Sequence, residues 1–234
     1  MGAIFRRELN SFFKSSIAYI FLSVFFVCSG YFFYGGPLRA ATSDMSSMFN
    51  ALFMVILILI PVLTMKLLSE EKKQKTDQGL LTAPISLWSI VLGKYFAALA
   101  LYTMGISIIF VYALILSYFG AVLWTSVLAN FLALFLLGAA FIAVGLFVSS
   151  LTENQMSSAV ASFLALMLLY MIDSLASLFQ SETIKDIFVS LSFYTRYMEF
   201  TMGMFNLSSV IFYISAAFLF NFFSVRVLEK RRWS

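Results

Sequence analysis

The sequence contains no histidine and a single cysteine, Cys28, among its 234 residues. Zinc and thiol-ligated metal centres draw on those two side chains, so their scarcity argues against such chemistry, and one cysteine cannot form an internal disulfide. Charge is scarce too. Asp, Glu, Lys and Arg make up 11% of the chain and apolar residues 62%, against about 25% and 45–50% in a soluble globular domain. The few charges are unevenly placed, with none in the 58 residues between Lys94 and Glu153. Such a chain cannot clothe a water-exposed surface. The net charge of +4 is not gathered into a basic surface interleaved with aromatic platforms, which excludes a nucleic-acid partner. A Gly-rich phosphate loop ending in Lys-Ser/Thr is missing, and so is a pair of acids within the apolar stretches. No catalytic, metal-binding or cofactor-binding residue is therefore assigned, and the chain is not expected to be an enzyme.

What is present is apolar length. A helix crossing a bilayer needs about 20 apolar residues, and six stretches qualify: residues 17–34, 48–68, 95–118, 127–148, 156–176 and 206–225. Helices satisfy their own backbone in lipid, and none of these stretches alternates in polarity as a barrel strand would. The sequence predicts an all-α integral membrane protein, with residues 1–234 forming one domain of six transmembrane helices. The break in the long uncharged interval is expected between Phe119 and Ser126, and Gly35-Gly36-Pro37 is expected to stop the first span. That span is read as retained in the protein, since its uncharged interval is longer than the apolar core of a signal peptide.

Cations set the orientation. With both termini in the cytoplasm, Arg6, Arg7, Lys14, Lys66, Lys72, Lys73, Lys75, Lys94, Arg226, Lys230, Arg231 and Arg232 lie inside; only Arg39, Lys185 and Arg196, of 15 Lys and Arg in all, lie outside. Excess positive charge in short loops marks the cytoplasmic side.

Three segments lie outside the apolar stretches. In residues 3–14, Ile4, Phe5, Leu9, Phe12 and Phe13 share one half of a helical wheel and Arg6, Arg7, Asn10, Ser11 and Lys14 the other, with Glu8 out of place on the apolar side. This pattern suits a helix lying in the inner interface, or a cytoplasmic extension of the first span. After the second span, Glu70, Glu71, Lys72, Lys73, Lys75 and Asp77 crowd a short loop of mixed charge, readable as a solvated turn or as a polar docking surface. Residues 173–199 are too charged to span, yet Ile184, Ile187, Phe188 and Leu191 recur at helical spacing. One or two short helices against the outer interface, or an aromatic loop, are expected there; Thr183 and Asp186 offer a weak capping pair. Within the spans, Ala139, Ala143 and Gly145, and Ser158, Ala161, Ser162 and Ala165, permit close helix packing within the chain or across a subunit seam.

The sequence resembles the membrane subunits of type-2 ABC exporters, most closely the GldF-like permeases associated with gliding motility. The likeness is carried by Phe5-Arg6-Arg7-Glu8-Leu9 and Ser15-Ser16-Ile17-Ala18-Tyr19-Ile20 near the start. It continues in Glu70-Glu71-Lys72, Thr76-Asp77-Gln78-Gly79-Leu80-Leu81-Thr82-Ala83-Pro84-Ile85 and Val91-Leu92-Gly93-Lys94, and closes with Phe193-Tyr194 and residues 224–233. The resemblance implies a permease of the prokaryotic inner membrane, paired with a second copy or a related permease and coupled to separate cytoplasmic ATPase subunits that bind ATP and Mg²⁺. An auxiliary extracytoplasmic protein is a further implied partner, alongside membrane lipids. It also implies that residues 3–14 form an elbow helix, and that short outer helices precede the last span. Glu70, Glu71, Lys72, Lys73, Thr76, Asp77, Gln78, Gly79, Leu80, Leu81 and Pro84 would form the ATPase-coupling segment. At the coupling segment the sequence departs from the pattern, with Lys72-Lys73 and Thr76-Asp77-Gln78-Gly79 where relatives often carry an Arg and a Gly-Thr-Leu-Glu-like run. The alternatives are a membrane scaffold that regulates a partner and a self-contained secondary transporter or channel. The latter lacks the intramembrane ionisable groups that ion coupling usually needs.

Overall fold

A computed structural model of the chain describes residues 1–40, 42, 44–74, 85–120, 122–176, 182–202, 204 and 206–232, without side-chain detail at 176 and 182–185. All regular elements among them are helical. In order they are α1 (Gly2–Lys14), α2 (Ser16–Phe33), α3 (Ser46–Thr64), α4 (Ser69–Lys73), α5 (Leu87–Ile106), α6 (Ile108–Phe119), α7 (Trp124–Leu151), α8 (Gln155–Tyr170), α9 (Ile172–Ala176), α10 (Glu182–Ser190), α11 (Phe193–Thr201) and α12 (Leu207–Arg232).

Local chemistry sets several boundaries. Ser15 is extended and separates α1 from α2, its hydroxyl donating to the Phe12 carbonyl at 3.0 Å. Gly35-Gly36-Pro37 does not stop the first apolar helix as expected. The chain widens into a π-helical turn over Tyr34–Leu38, with the Arg39 N–H reaching the Tyr34 carbonyl at 3.2 Å. The wider i→i+5 register accommodates a proline that would break the ordinary one. Between α5 and α6 the Thr103 and Ser107 hydroxyls each donate to a carbonyl one turn earlier, both at 2.7 Å, a back-bonding that bends helices. α5 starts at Leu87, well before the expected residue 95, with the Ser86 hydroxyl accepting from the Ser89 N–H at 3.3 Å. Lys94 is thereby carried into a helix. The expected break after Phe119 is present, with Gly120 extended and α7 starting at Trp124.

Among the described residues five helical stretches are long and apolar enough to cross a membrane: Ser16–Leu38, Ser46–Lys73, Leu87–Phe119, Trp124–Leu151 and Leu207–Arg232. The remaining predicted span is divided between α8, of 16 residues, and α9, with a turn at Met171; α8 alone is about 24 Å long. It nevertheless runs from one end of the bundle to the other. Glu153 just before it lies 3.8 Å from Arg231, whereas Asp173 just after it accepts from Thr195.

α7 is the most enclosed of the five long helices, and α12, α8, α3 and α5 all pack on it. Glycine permits two of these contacts. A Cβ at Gly138 would lie 2.2 Å from Tyr102 Cζ, and one at Gly145 would lie 2.2 Å from Thr64 Oγ1. Ala139 and Ala143 are buried beside them, so these small residues serve packing within the chain. On α8, Ser158 and Ser162 are buried inside the bundle and Ala161 and Ala165 are half-buried, while Met156, Val160, Leu164 and Leu168 face outward.

At the end opposite Glu153, α11 closes over the bundle. Ser192 caps it by accepting from the Thr195 N–H at 3.1 Å. The buried Tyr197 donates to the Phe49 carbonyl, and Tyr213 to that of Phe193, both at 2.7 Å. Phe53 sits among the rings of Tyr170, Tyr194 and Tyr197 at 5.2–5.5 Å. Residues 182–201 thus form short helices, α10 and α11. Of the Thr183–Asp186 pair, the Thr183 side chain lies outside the described ones.

Candidate coupling site

Glu8, the acid on the wrong side of α1, finds its reason at the start of α5. A Cβ at Gly93 would lie 2.9 Å from Ile4 Cγ2, so glycine is what lets α1 lie this close. The adjacent Lys94 side chain is 1% exposed, and its Nζ stands 3.2 Å from Glu8 Oε1 and 3.0 Å from Glu71 Oε1. Arg7 Nη2 approaches the same two oxygens at 2.7 and 2.9 Å. Two carboxylates and two cations make a neutral cluster joining α1, α4 and α5. Burying an ammonium is costly unless it is paired and hydrogen-bonded; Lys94 has both acids to answer it. Partial burial works to lower the Arg7 pKa, but hydrogen bonds and attraction from Glu8 and Glu71 outweigh it and hold it above its ordinary value.

α4 is fastened on its other side to α7. Ser149 Oγ accepts the Leu68 and Ser69 N–H groups at 3.1 and 3.2 Å, two of the orphan donors at a helix N-terminus. Lys72 Nζ donates to the Ser150 carbonyl. Nearby, Lys66 Nζ donates to Ser15 Oγ at 2.7 Å and lies 5.1 Å from the Phe12 ring centroid, tying the end of α3 to the α1–α2 junction. A displacement of α4 would therefore act on α1 and α5 through Glu71 and on α7 through Ser149 and Lys72.

Of the sequence-predicted coupling residues, Glu71 and Lys72 lie in this network. Glu70 accepts from Gln74 at 3.4 Å and Lys73 is exposed. Thr76, Asp77, Gln78, Gly79, Leu80, Leu81 and Pro84 lie outside the described residues. On α1, Ile4 and Phe12 are buried and Phe5, Leu9 and Phe13 pack partly against the core, while Arg6 and Arg7 face outward. Sequence reasoning took Lys94 as a cytoplasmic cation and as part of the family likeness, gave it no partner, and missed Ser149 and Ser150. Two signals pointed to the cluster: Glu8 on an apolar face, and Lys94 alone among apolar residues. Away from the cluster the described residues leave sizeable cavities. One of about 750 Å³ lies at the opposite end between Ser46, Ser126 and Thr201, and a more open one of about 540 Å³ runs between Phe5, Leu99 and Phe135.

A search of curated proteins found no significant match. The family comparison gives the assignment. The sequence matches the profile described as ABC-2 family transporter protein over residues 3–228, a range that takes in nearly all of α1, the charge cluster, four of the long apolar helices and α12 as far as Leu228. The chain belongs to the ABC-2 transporter family and is a multi-pass membrane protein.

Proposed function

We propose that this chain is the membrane subunit of an ATP-driven exporter of the GldF-like kind, pairing with a second permease to form the pathway. ATP and Mg²⁺ belong to separate cytoplasmic ATPase subunits, which dock on residues 70–84. The observation that carries this reading is the fastening of α4 to α1, α5 and α7 by Glu71, Lys72 and Ser149. A docking segment held loosely would absorb the motion of an ATPase; one tied to three helices passes it on, giving two distant sites a shared two-state element. Family membership supports the ATPase partnership. α8 completes six crossings, and its outward apolar face at Val160, Leu164 and Leu168 is available to a second permease. Both termini are cytoplasmic, in the inner membrane.

Because Glu71 is bound to Lys94, changing it would disturb the cluster as well as any docking. The docking test therefore uses Lys73→Glu with Leu80→Asp, which leaves the cluster intact. This variant is expected to insert at parental levels and to lose at least tenfold of ATPase co-purification, since a charge placed where an apolar anchor is wanted removes most of a contact's energy. Parental co-purification and flux would place the coupling elsewhere.

The orientation has its own check. In a Cys28→Ala background, Ala40→Cys and Ser190→Cys, both at exposed positions, are expected to react with an impermeant thiol reagent added to intact cells, and Lys73→Cys only after permeabilisation. Labelling of Lys73→Cys in intact cells would reverse the topology.

A further inference from the structure

We propose that the cavity between α8–α9, α10 and α11 binds a small organic ammonium group. The cavity is about 410 Å³ and is lined by Tyr170, Asp173, Ser174, Val189, Tyr194, Thr195 and Met198. That volume lies within the range of small-ligand pockets. Asp173 stands three residues after Tyr170, across the turn at Met171, and both line the cavity. The Tyr170 and Tyr194 rings meet at 5.4 Å and 84°, forming an aromatic corner beside the acid.

The acid is under-used. Thr195 Oγ1 lies 2.9 and 3.0 Å from its two oxygens, and a hydroxyl has only one proton to give. Among the described residues no cation pairs with it. Arg196, next in sequence to Thr195, is committed elsewhere: its Nε and Nη2 donate to the Ser190 carbonyl at 2.9 and 2.7 Å, and its guanidinium stacks 4.5 Å from the Phe212 centroid. A carboxylate with acceptor capacity to spare therefore opens into a cavity walled by two tyrosine rings, a thioether and a valine.

This chemistry selects among cations. Magnesium or calcium is held by several carboxylate and carbonyl oxygens, whereas the side chains lining this cavity offer one carboxylate and otherwise only the hydroxyls of Tyr170, Ser174, Tyr194 and Thr195. Tyr194 already donates its hydroxyl to Asn50 Oδ1 at 3.3 Å. Alkylammonium groups are held by the opposite combination, ring faces and apolar contact with one negative charge. The source is either a lipid headgroup or a free amine compound. The site stands at the end of the bundle away from the coupling cluster, and its occupancy requires neither ATPase nor nucleotide, so failure of the exporter reading would leave it untouched.

Choline and its neutral carbon isostere 3,3-dimethylbutan-1-ol are the probes, titrated by calorimetry into the full chain in nanodiscs of phosphatidylglycerol alone. Saturable choline binding at least tenfold tighter than the isostere is expected, with a further loss of at least tenfold in Asp173→Asn and a weaker one in Tyr194→Leu. Repeating the titration in phosphatidylcholine discs separates the sources: choline weakened by competition identifies the headgroup as occupant, and unchanged binding identifies a free compound. Equal binding of choline and isostere to the parental chain would overturn the proposal without reference to any variant, as would undiminished binding in folded Asp173→Asn.

Discussion

Replacing Lys94 with methionine is expected to be among the most damaging single changes in the molecule. Its ammonium is buried and sits between Glu8 Oε1 and Glu71 Oε1. Methionine fills the same volume but leaves the two carboxylates facing each other, with only the half-exposed Arg7 bridging them. Removing one partner from a buried ion pair costs about 3–5 kcal/mol. Both acids keep some solvent contact and Arg7 remains, so the expected loss lies near about 3 kcal/mol. It is read as a lowered midpoint of denaturant unfolding in detergent. The diagnostic comparison adds Glu8→Gln and Glu71→Gln to Lys94→Met. Replacing buried partnered charges by neutral groups is often nearly neutral in stability, and the remaining Arg7 is half-exposed to solvent, so the triple variant should recover most of what the single one loses. Transport should not recover, because α4 is then no longer tied by charge to α1 and α5. A Lys94→Met chain as stable as the parent, or a triple variant no better than the single, would show that the cluster does not hold these helices.

The second large effect is expected at Gly138. An alanine Cβ there would stand 2.2 Å from both Cε1 and Cζ of Tyr102. The ring has no easy retreat: Tyr102 is wholly buried, and its hydroxyl donates to the Leu134 carbonyl at 2.7 Å. One added methyl group must therefore push α5 off α7 or break that hydrogen bond. Overpacking a core costs about 1–3 kcal/mol and sometimes more, and a contact this short belongs at the upper end. Gly138→Ala is expected to reduce accumulation in the membrane severalfold. The sign should reverse once the ring is gone. In a Tyr102→Ala background, already weakened by its cavity, adding Gly138→Ala should cost nothing and gain up to about 1 kcal/mol from helix propensity. Equal effects in both backgrounds, followed by immunoblot and by unfolding in detergent, would mean that α5 and α7 do not meet at this point.

The charge cluster also explains why the coupling residues were only partly legible. Glu70 to Pro84 stood out in the sequence because mixed charge in an apolar chain is a local property, visible in any short window. The role of Glu71 is not local. Its partners Arg7 and Lys94 come from other helices, and no pattern within the loop names them. Glu8 was visible as a misfit on the apolar face of α1, but a misfit has no address until α5 is laid beside it. Gly93 decides that approach, and a glycine in a helix announces neither which neighbour comes close nor how near. Ser149 and Ser150 were less legible still, since serine at the end of an apolar helix looks the same whether it caps another helix or faces solvent.

By itself the sequence determined that the chain is helical and belongs in a membrane, because hydrophobic length and backbone self-satisfaction in lipid are properties of single segments. Five of the apolar stretches form long helices, the break after Phe119 lies where the composition changes, and α1 carries the two-faced pattern read from its residues. Tertiary structure decided the rest. It divided the stretch at 156–176 into α8 and α9, and buried Ser158 and Ser162 inside the bundle. It also brought Lys94 against Glu8 and Glu71, and set Asp173 beside Tyr194. Each of these depends on energies shared between segments distant in sequence: the desolvation of an ammonium, the space a missing Cβ leaves, the stacking of rings from different helices. Pairwise terms of this kind exist only once the helices are packed.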